Sequence, residues 1–206
     1  TATDNYNIGI GFQAGYAVTT AVNNVLIGGI AGDALNTGGE NTAVGYIALS
    51  ADTKGAKSVA IGIGTLQVQN FTTATDTYNT AVGYAAGNAI STGIQNTLVG
   101  GLAGIALTTG QENVAVGLAA LTTEDAGNYN TAIGARALQT QNAGTNVYNT
   151  AVGYSAGLNV TTGIENTLIG GLAGDALTDA DSNVAIGKNA LAQDTLGSRS
   201  LAIGQG

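Results

Sequence analysis

The acidic side chains are the ones whose types and spacing could do chemistry. Glu124-Asp125 and Asp179-Ala180-Asp181 are the closest-set pairs. Two carboxylates can act as acid and base on a glycosidic bond, or ligate an oxygen-seeking cation such as calcium. With no His and no Cys, neither a Ser-His-Asp nor a Cys-His nucleophile system can be built, and thiolate or imidazole metal sites are excluded. Both acidic pairs fall in expected return turns and recur in no other copy of the repeat described below. They read as solvated turn residues, with hydrolysis and calcium ligation by Asp179 and Asp181 as the sharper alternatives. No catalytic, cofactor or metal residue is assigned, and an enzyme is not expected. Fragments such as Gly9-Ile10-Gly11 are products of the repeat and lack the βαβ setting of a dinucleotide site.

Two further residue types invite a functional reading. Tyr46, Tyr84 and Tyr154, with Phe12, follow one recurring glycine. Facing out, they could stack on sugar rings; facing in, they fill an interface, the preferred reading because aromatics dominate interface energetics. Thr42, Thr80, Thr97, Thr131, Thr150 and Thr167 form a column suggestive of an ice-binding face. Val25, Val59, Val114, Val184 and Leu201 interrupt it.

These residues are positioned by a repeat. Aligned on the glycine of Asn79-Thr80-Ala81-Val82-Gly83, the series runs Gly11, Gly28, Gly45, Gly62, Gly83, Gly100, Gly117, Gly134, Gly153, Gly170, Gly187, Gly204, mostly 17 residues apart. Twelve copies at a near-fixed period mean a repeat architecture. The residue before the glycine is always Val or Ile, as in Ile61, Val82 and Val99. Stiff β-branched chains suit a pleated, buried surface, so this column is expected to be the core.

Four residues before the glycine stands Asn7, Asn24, Asn41, Asn79, Asn96, Asn113, Asn130, Asn149, Asn166 or Asn183, with Ser58 and Ser200 in the other two copies. Asn suits the corner entering a strand, and stacked copies can form a side-chain amide ladder. That structural role is preferred over a ligand role. The glycines, among them Gly45, Gly83, Gly100, Gly117, Gly134, Gly153, Gly170 and Gly187, are expected to supply positive φ or close backbone approach. Three residues later an Ala column, with Thr65 as its exception, marks a crowded position.

The next position reads Gly15, Gly32, Leu49, Leu66, then Gly87, Gly104, Leu121, Leu138, then Gly157, Gly174, Leu191. Copies therefore group in fours, giving one solenoid domain over 1–206 with supermodules at about 6–77, 78–147 and 148–206. Gly-type copies place an apolar residue three positions on, such as Ile90 or Leu107, where Leu-type copies have Asp52, Glu124 or Asp194.

Only 9% of residues are charged and 33 are Gly, a composition suited to a stacked solenoid. A net charge of −8 with five scattered cations argues against nucleic acid. No apolar run approaches the roughly 20 residues of a membrane span, so membrane insertion of this segment is not expected. The lack of Met and of a capping sequence is read as fitting a segment of a longer chain, and the lack of Cys as fitting an extracellular or virion protein.

A coil of 17 residues has room for two short strands and two turns, which predicts a narrow two-faced parallel β-roll. At about 4.8 Å per coil, twelve coils extend on the order of 58 Å. The returns after the fourth and eighth coils are longer by four and two residues. These insertions are expected to project from one edge, roughly 19 Å apart, and insertions in repeat proteins often map to a binding face. Asn70, Phe71, Asp76, Asn142 and Asn146 are the candidate surface-binding residues.

Ser58-Val59-Ala60-Ile61-Gly62, Asn183-Val184-Ala185-Ile186-Gly187 and Ser200-Leu201-Ala202-Ile203-Gly204 resemble the head repeats of trimeric autotransporter adhesins, the YadA-like heads. The Asn-Thr-Ala-Val-Gly-Tyr form at 41–46, 79–84 and 149–154 also resembles repeats of phage tail fibres. The resemblance spans residues 6–204. It departs from the adhesin heads in a longer coil and in a second glycine that alternates with leucine. It implies a left-handed β-roll that trimerises, with no catalytic residues to carry over.

Apolar residues on both faces of one strand independently favour self-association. The expected function is a non-enzymatic fibre segment, extracellular on a bacterial surface or virion tail, with itself as partner and a host-surface glycan or protein as candidate receptor. An ice-binding solenoid is the alternative; a carbohydrate-active solenoid enzyme ranks below it.

Overall fold

The computed structural model describes residues 4–144 and 146–206. The strands are β1 (Ile8–Ile10), β2 (Val25–Ile27), β3 (Thr42–Val44), β4 (Gly55–Ala56), β5 (Val59–Ile61), β6 (Thr75–Asp76), β7 (Thr80–Val82), β8 (Thr97–Val99), β9 (Val114–Val116), β10 (Thr131–Ile133), β11 (Thr150–Val152), β12 (Thr167–Ile169), β13 (Val184–Ile186) and β14 (Leu201–Ile203). All but β4 and β6 form one twelve-stranded parallel sheet in sequence order. Register is constant: Thr80, Ala81 and Val82 lie beside Thr97, Leu98 and Val99, and those beside Val114, Ala115 and Val116. The chain is an all-β solenoid of about eleven turns.

The expectation of two strands per coil is corrected. Each coil has one three-residue strand, and among the described residues a second pairing occurs only at the insertions, as β4 with β6 and as the bridge Asn128–Asn146. The rest of each coil is turn, yet it still stacks through main-chain bonds. The Gly87 N–H donates to Ala103 O (3.0 Å), Ala89 to Ile105 (3.1 Å) and Ser91 to Thr108 (2.9 Å).

The coil closes this tightly because many non-glycine residues are left-handed. Tyr78 (φ 51), Ala85 (φ 51), Leu121 (φ 53) and Gln95 (φ 60) are examples. Such residues are ordinarily a few per cent of a chain; here they mark fixed corners, before the Asn, two residues past the glycine and at the Leu of Leu-type coils.

The core is also corrected. The buried strand position is the middle residue, not the β-branched one. Ala43, Ala60, Ala81, Leu98, Ala115, Ala132, Ala151, Leu168 and Ala185 are fully buried. Side chains alternate across a strand, so the flanking Thr/Val and Val/Ile columns point outward. The interior is too narrow for a large residue on every rung, which is why it is lined with Ala.

The four-coil alternation follows from the same narrowness. In the second coil of each group the strand carries Leu26, Leu98 or Leu168, and each lies against two glycines. A Cβ on Gly87 would stand 2.7 Å from Leu98 Cδ1, and one on Gly104 would stand 2.9 Å from its Cδ2. In Leu-type coils the strand has Ala and the large group arrives from the opposite wall as Leu49, Leu66, Leu121 or Leu138, all fully buried.

Candidate functional site

Two features bear on function: the outward sheet face and the insertion edge. The outward column before the glycine is partly exposed along the sheet, with Val99 36% and Ile133 39% exposed. Beside it runs the Thr/Val column. Just past the glycines, Tyr46, Tyr84 (64%), Leu118 and Tyr154 are exposed. Tyr6, Tyr78, Tyr129 and Tyr148, each preceding an Asn of the ladder, are exposed as well, and Tyr129 and Tyr148 stack in parallel with centroids 4.9 Å apart. Large apolar stripes of this kind mark contact surfaces on soluble proteins.

The asparagines occupy the strand entrance and turn inward. The Asn41 N–H donates to Asn24 Oδ1 (2.9 Å), Asn96 to Asn79 Oδ1 (2.9 Å), Asn113 to Asn96 Oδ1 (3.0 Å), Asn130 to Asn113 Oδ1 (2.9 Å), Asn166 to Asn149 Oδ1 (2.8 Å) and Asn183 to Asn166 Oδ1 (3.0 Å). The Nδ2 of Asn24, Asn41, Asn79, Asn96, Asn113, Asn149 and Asn166 also reaches a return turn, as Asn79 does to Gly93 O (2.8 Å) and Asn149 to Gly163 O (2.7 Å). These carboxamides are fully enclosed, so no exterior ligand reaches them. The glycines combine both expected geometries. Gly100 has φ +134, and a Cβ there would stand 2.5 Å from Gly117 O. Gly45, Gly83, Gly117, Gly134, Gly153, Gly170 and Gly187 repeat that pattern.

At the first insertion the structure separates the candidate residues. Asn70 and Asp76 are exposed. Asp76 is held by Lys57 Nζ at 2.7 Å, which keeps its carboxyl below the usual range and raises the Lys57 ammonium. Lys57 also lies 5.4 Å from the Tyr78 ring centre. Phe71 is corrected: it is 7% exposed, an anchor of the loop and not part of its surface. At the second insertion Asn142 and Asn146 are exposed, and Asn146 Oδ1 accepts Asn128 Nδ2 at 2.9 Å.

Beneath each insertion lies a buried carboxylate, which corrects the reading of Glu124 as a solvated turn residue. Asp52 and Glu124 are both 0% exposed. Asp52 Oδ1 accepts the N–H groups of Gly55 (2.9 Å) and Phe71 (3.1 Å), and its Oδ2 accepts Gln69 Nε2 (2.7 Å). Glu124 Oε1 accepts Gly127 N–H (2.8 Å), and Oε2 accepts Ala143 N–H (3.3 Å). A buried charge is tolerable when hydrogen bonds replace its water. Each acid therefore binds its own turn to the insertion one coil further on. The sequence signal was present: an acid in the third coil of the first two groups, Asp52 and Glu124, each followed by a lengthened return in the fourth.

Among the described residues no three metal-ligating acids converge. Asp181 Oδ1 accepts the Ile164 N–H (2.9 Å), and Asp179 Oδ1 the Thr178 hydroxyl (3.3 Å). A cavity of about 190 Å³ in the first coil is lined by Asn7, Ile8, Gly9, Ala14, Gly15, Val18 and Leu26, without a titratable group. Among the described residues no helix is long and apolar enough to cross a membrane. Comparison with protein-family models, curated proteins and solved structures found no match.

Proposed function

We propose that this chain is a non-enzymatic structural segment of an extracellular fibre, a narrow left-handed roll that assembles as a homotrimer and presents its insertions to a host-surface glycan or protein. The observation that carries the reading is the outward column Ile61, Val82, Val99, Val116, Ile133, Val152, Ile169 and Ile186, apolar over the whole sheet and partly exposed in the single chain. A copy of the same chain has the same rise per coil, so it can cover every rung in register. Partners of any other construction match a few rungs at most. Sedimentation of the purified chain tests this: a mass three times 20.1 kDa is expected, and Val82→Asp with Val99→Asp should return it to one. A wild-type monomer at high concentration overturns the assembly. Loss of cell or glycan binding on deleting residues 70–76 is expected; unchanged binding removes the insertions from the account.

The ice-binding alternative gains one observation. The Thr column shares its outward face with the Val/Ile column, which gives a Thr-x-Val array in Thr80–Val82, Thr97–Val99 and Thr150–Val152. The exposed tyrosines flanking that face weigh against a flat ice contact. Thermal hysteresis in a monomeric preparation would favour this reading, and its absence removes it.

A further inference from the structure

One column runs along the strand entrances, the residue before each ladder asparagine or serine, and it is built differently beside the two insertions. Around the first it reads Glu40, Lys57, Tyr78, Gln95; around the second, Glu112, Tyr129, Tyr148, Glu165. Main-chain bonds place these residues one coil apart. The Lys57 N–H donates to Gly39 O (3.1 Å) and Gln95 to Thr77 O (2.7 Å), as Tyr129 does to Gln111 O (3.2 Å) and Glu165 to Val147 O (2.8 Å).

The first set supplies its own cation. Lys57 Nζ stands 5.4 Å from the centre of the Tyr78 ring and 2.7 Å from Asp76 Oδ2, and the Tyr78 hydroxyl donates to the same carboxylate at 3.3 Å. In the second set a ring, Tyr129, stands where that lysine would be, and Asn146 stands in place of the aspartate. Acids bracket the stacked rings, and among the described residues neither Glu112 nor Glu165 is in a salt bridge. No Lys or Arg occupies the column between Lys57 and Arg199. Tyr148 is 52% exposed, and Glu165 Oε2 accepts the Ser182 hydroxyl at 3.0 Å, which steadies the carboxylate and leaves Oε1 open.

We infer that Tyr148 and Glu165 form a seat for a guanidinium, the side chain of an arginine on a protein partner. The guanidinium lies flat on the ring face turned away from Tyr129, adds one planar group to the stack, and bonds to Oε1 of Glu165. A ring face attracts a cation electrostatically. A guanidinium joins flat stacking to a forked bond with carboxylate, which the compact, strongly hydrated ammonium cannot do. Lys57 over Tyr78, with Asp76 beside it, is a simpler form of the same recognition made within the chain. The inference rests on the reading of the insertions as the binding edge and names the chemistry of the protein bound there.

Titration of the full chain, carrying isotope-labelled tyrosine rings, with N-acetyl-arginine amide tests the seat by NMR. The Tyr148 ring signals are expected to move and saturate, with Tyr84 and Tyr154 as controls on the same chain, and the neutral citrulline analogue should leave them in place. Glu165→Gln, a surface change, should weaken binding roughly three- to tenfold, the combined worth of an exposed cation–π contact and an exposed ion pair. Tyr78 should respond only in Lys57→Ala, which vacates its ring face, a gain that misfolding cannot imitate. Equal movement at Tyr84, an equal response to the citrulline analogue, full affinity in Glu165→Gln, or a Tyr78 ring still silent in Lys57→Ala would each overturn the proposal. Cell attachment that ignores Tyr148→Leu with Glu165→Gln, in a protein whose native chain binds the probe, leaves the seat standing and removes only its part in attachment. Attachment lost in that double variant, with native Tyr148 silent toward the probe, overturns the seat and keeps the binding edge.

Discussion

Along Thr97-Leu98-Val99 the middle side chain is sealed while its two neighbours stand in water. The inner and outer faces of this sheet obey different rules. Inside, the opposite wall is so near that volume decides, and Ala or Leu is chosen rung by rung against Gly or Leu across the gap. Outside, shape decides: stiff Val and Ile chains repeat without regard to the four-coil grouping. A column that alternates marks a cavity filled in two ways.

Substitutions can break that contrast, and the largest effect is expected where the inner wall is backbone. Gly100→Val, at φ +134 and facing Gly117 O, should cost more than about 4 kcal/mol, the range of special backbone positions; urea denaturation followed by circular dichroism measures it. Next comes Leu98→Ala, expected to cost about 2–5 kcal/mol as a core cavity. Its outward neighbour Val99→Ala should cost under about 1 kcal/mol in chains diluted to monomer, since half-exposed aliphatics bury little. Equal losses at the two positions would erase the distinction between the faces.

Asn96→Ala should fall between them, at about 1–3 kcal/mol. It strips partners from Asn113 N–H and Gly110 O together, while Asn79 Oδ1 keeps the backbone N–H of residue 96. Chemical denaturation beside an Asn70→Ala control, whose side chain is exposed, isolates the ladder.

The smallest effect concerns Asp33 and Asp175, which share one register position in the first and third groups. Desolvation raises both carboxyls, and each has a buried oxygen without a partner. The folded chain then holds protons that the unfolded chain has released, so stability falls as pH rises from the ordinary Asp range through the raised one. Asp33→Asn with Asp175→Asn should flatten that part of the melting-temperature profile and slightly raise stability at neutral pH. A steeper profile would contradict the assignment.

Much of this was legible in the residues. The period, the parallel stacking and the place of the insertions follow from Gly11 to Gly204 and from the lengths between them. The inward face was not, because Ala81 and Val82 are both apolar and a three-residue strand offers one alternation, too little to tell its sides apart. Single coils such as Ser58–Ile61 suggest burial of the larger side chain, as in wider proteins, whereas the narrow interior reverses the choice. The left-handed corners at Tyr78, Gln95 and Leu121 carried no signal, since those residue types ordinarily avoid that conformation and are held in it by stacked neighbours. Phe71 looked like a surface aromatic because its anchor, Asp52, lies 19 residues earlier in sequence.

The seating of Leu98 between Gly87 and Gly104 also sets a rule for length. Removing or adding one coil would bring a leucine against a leucine, or a glycine against an alanine, at the splice. Four coils added together restore every neighbour. A rod built this way has a natural increment of roughly 19 Å, and lengths between increments carry a packing fault at a known rung.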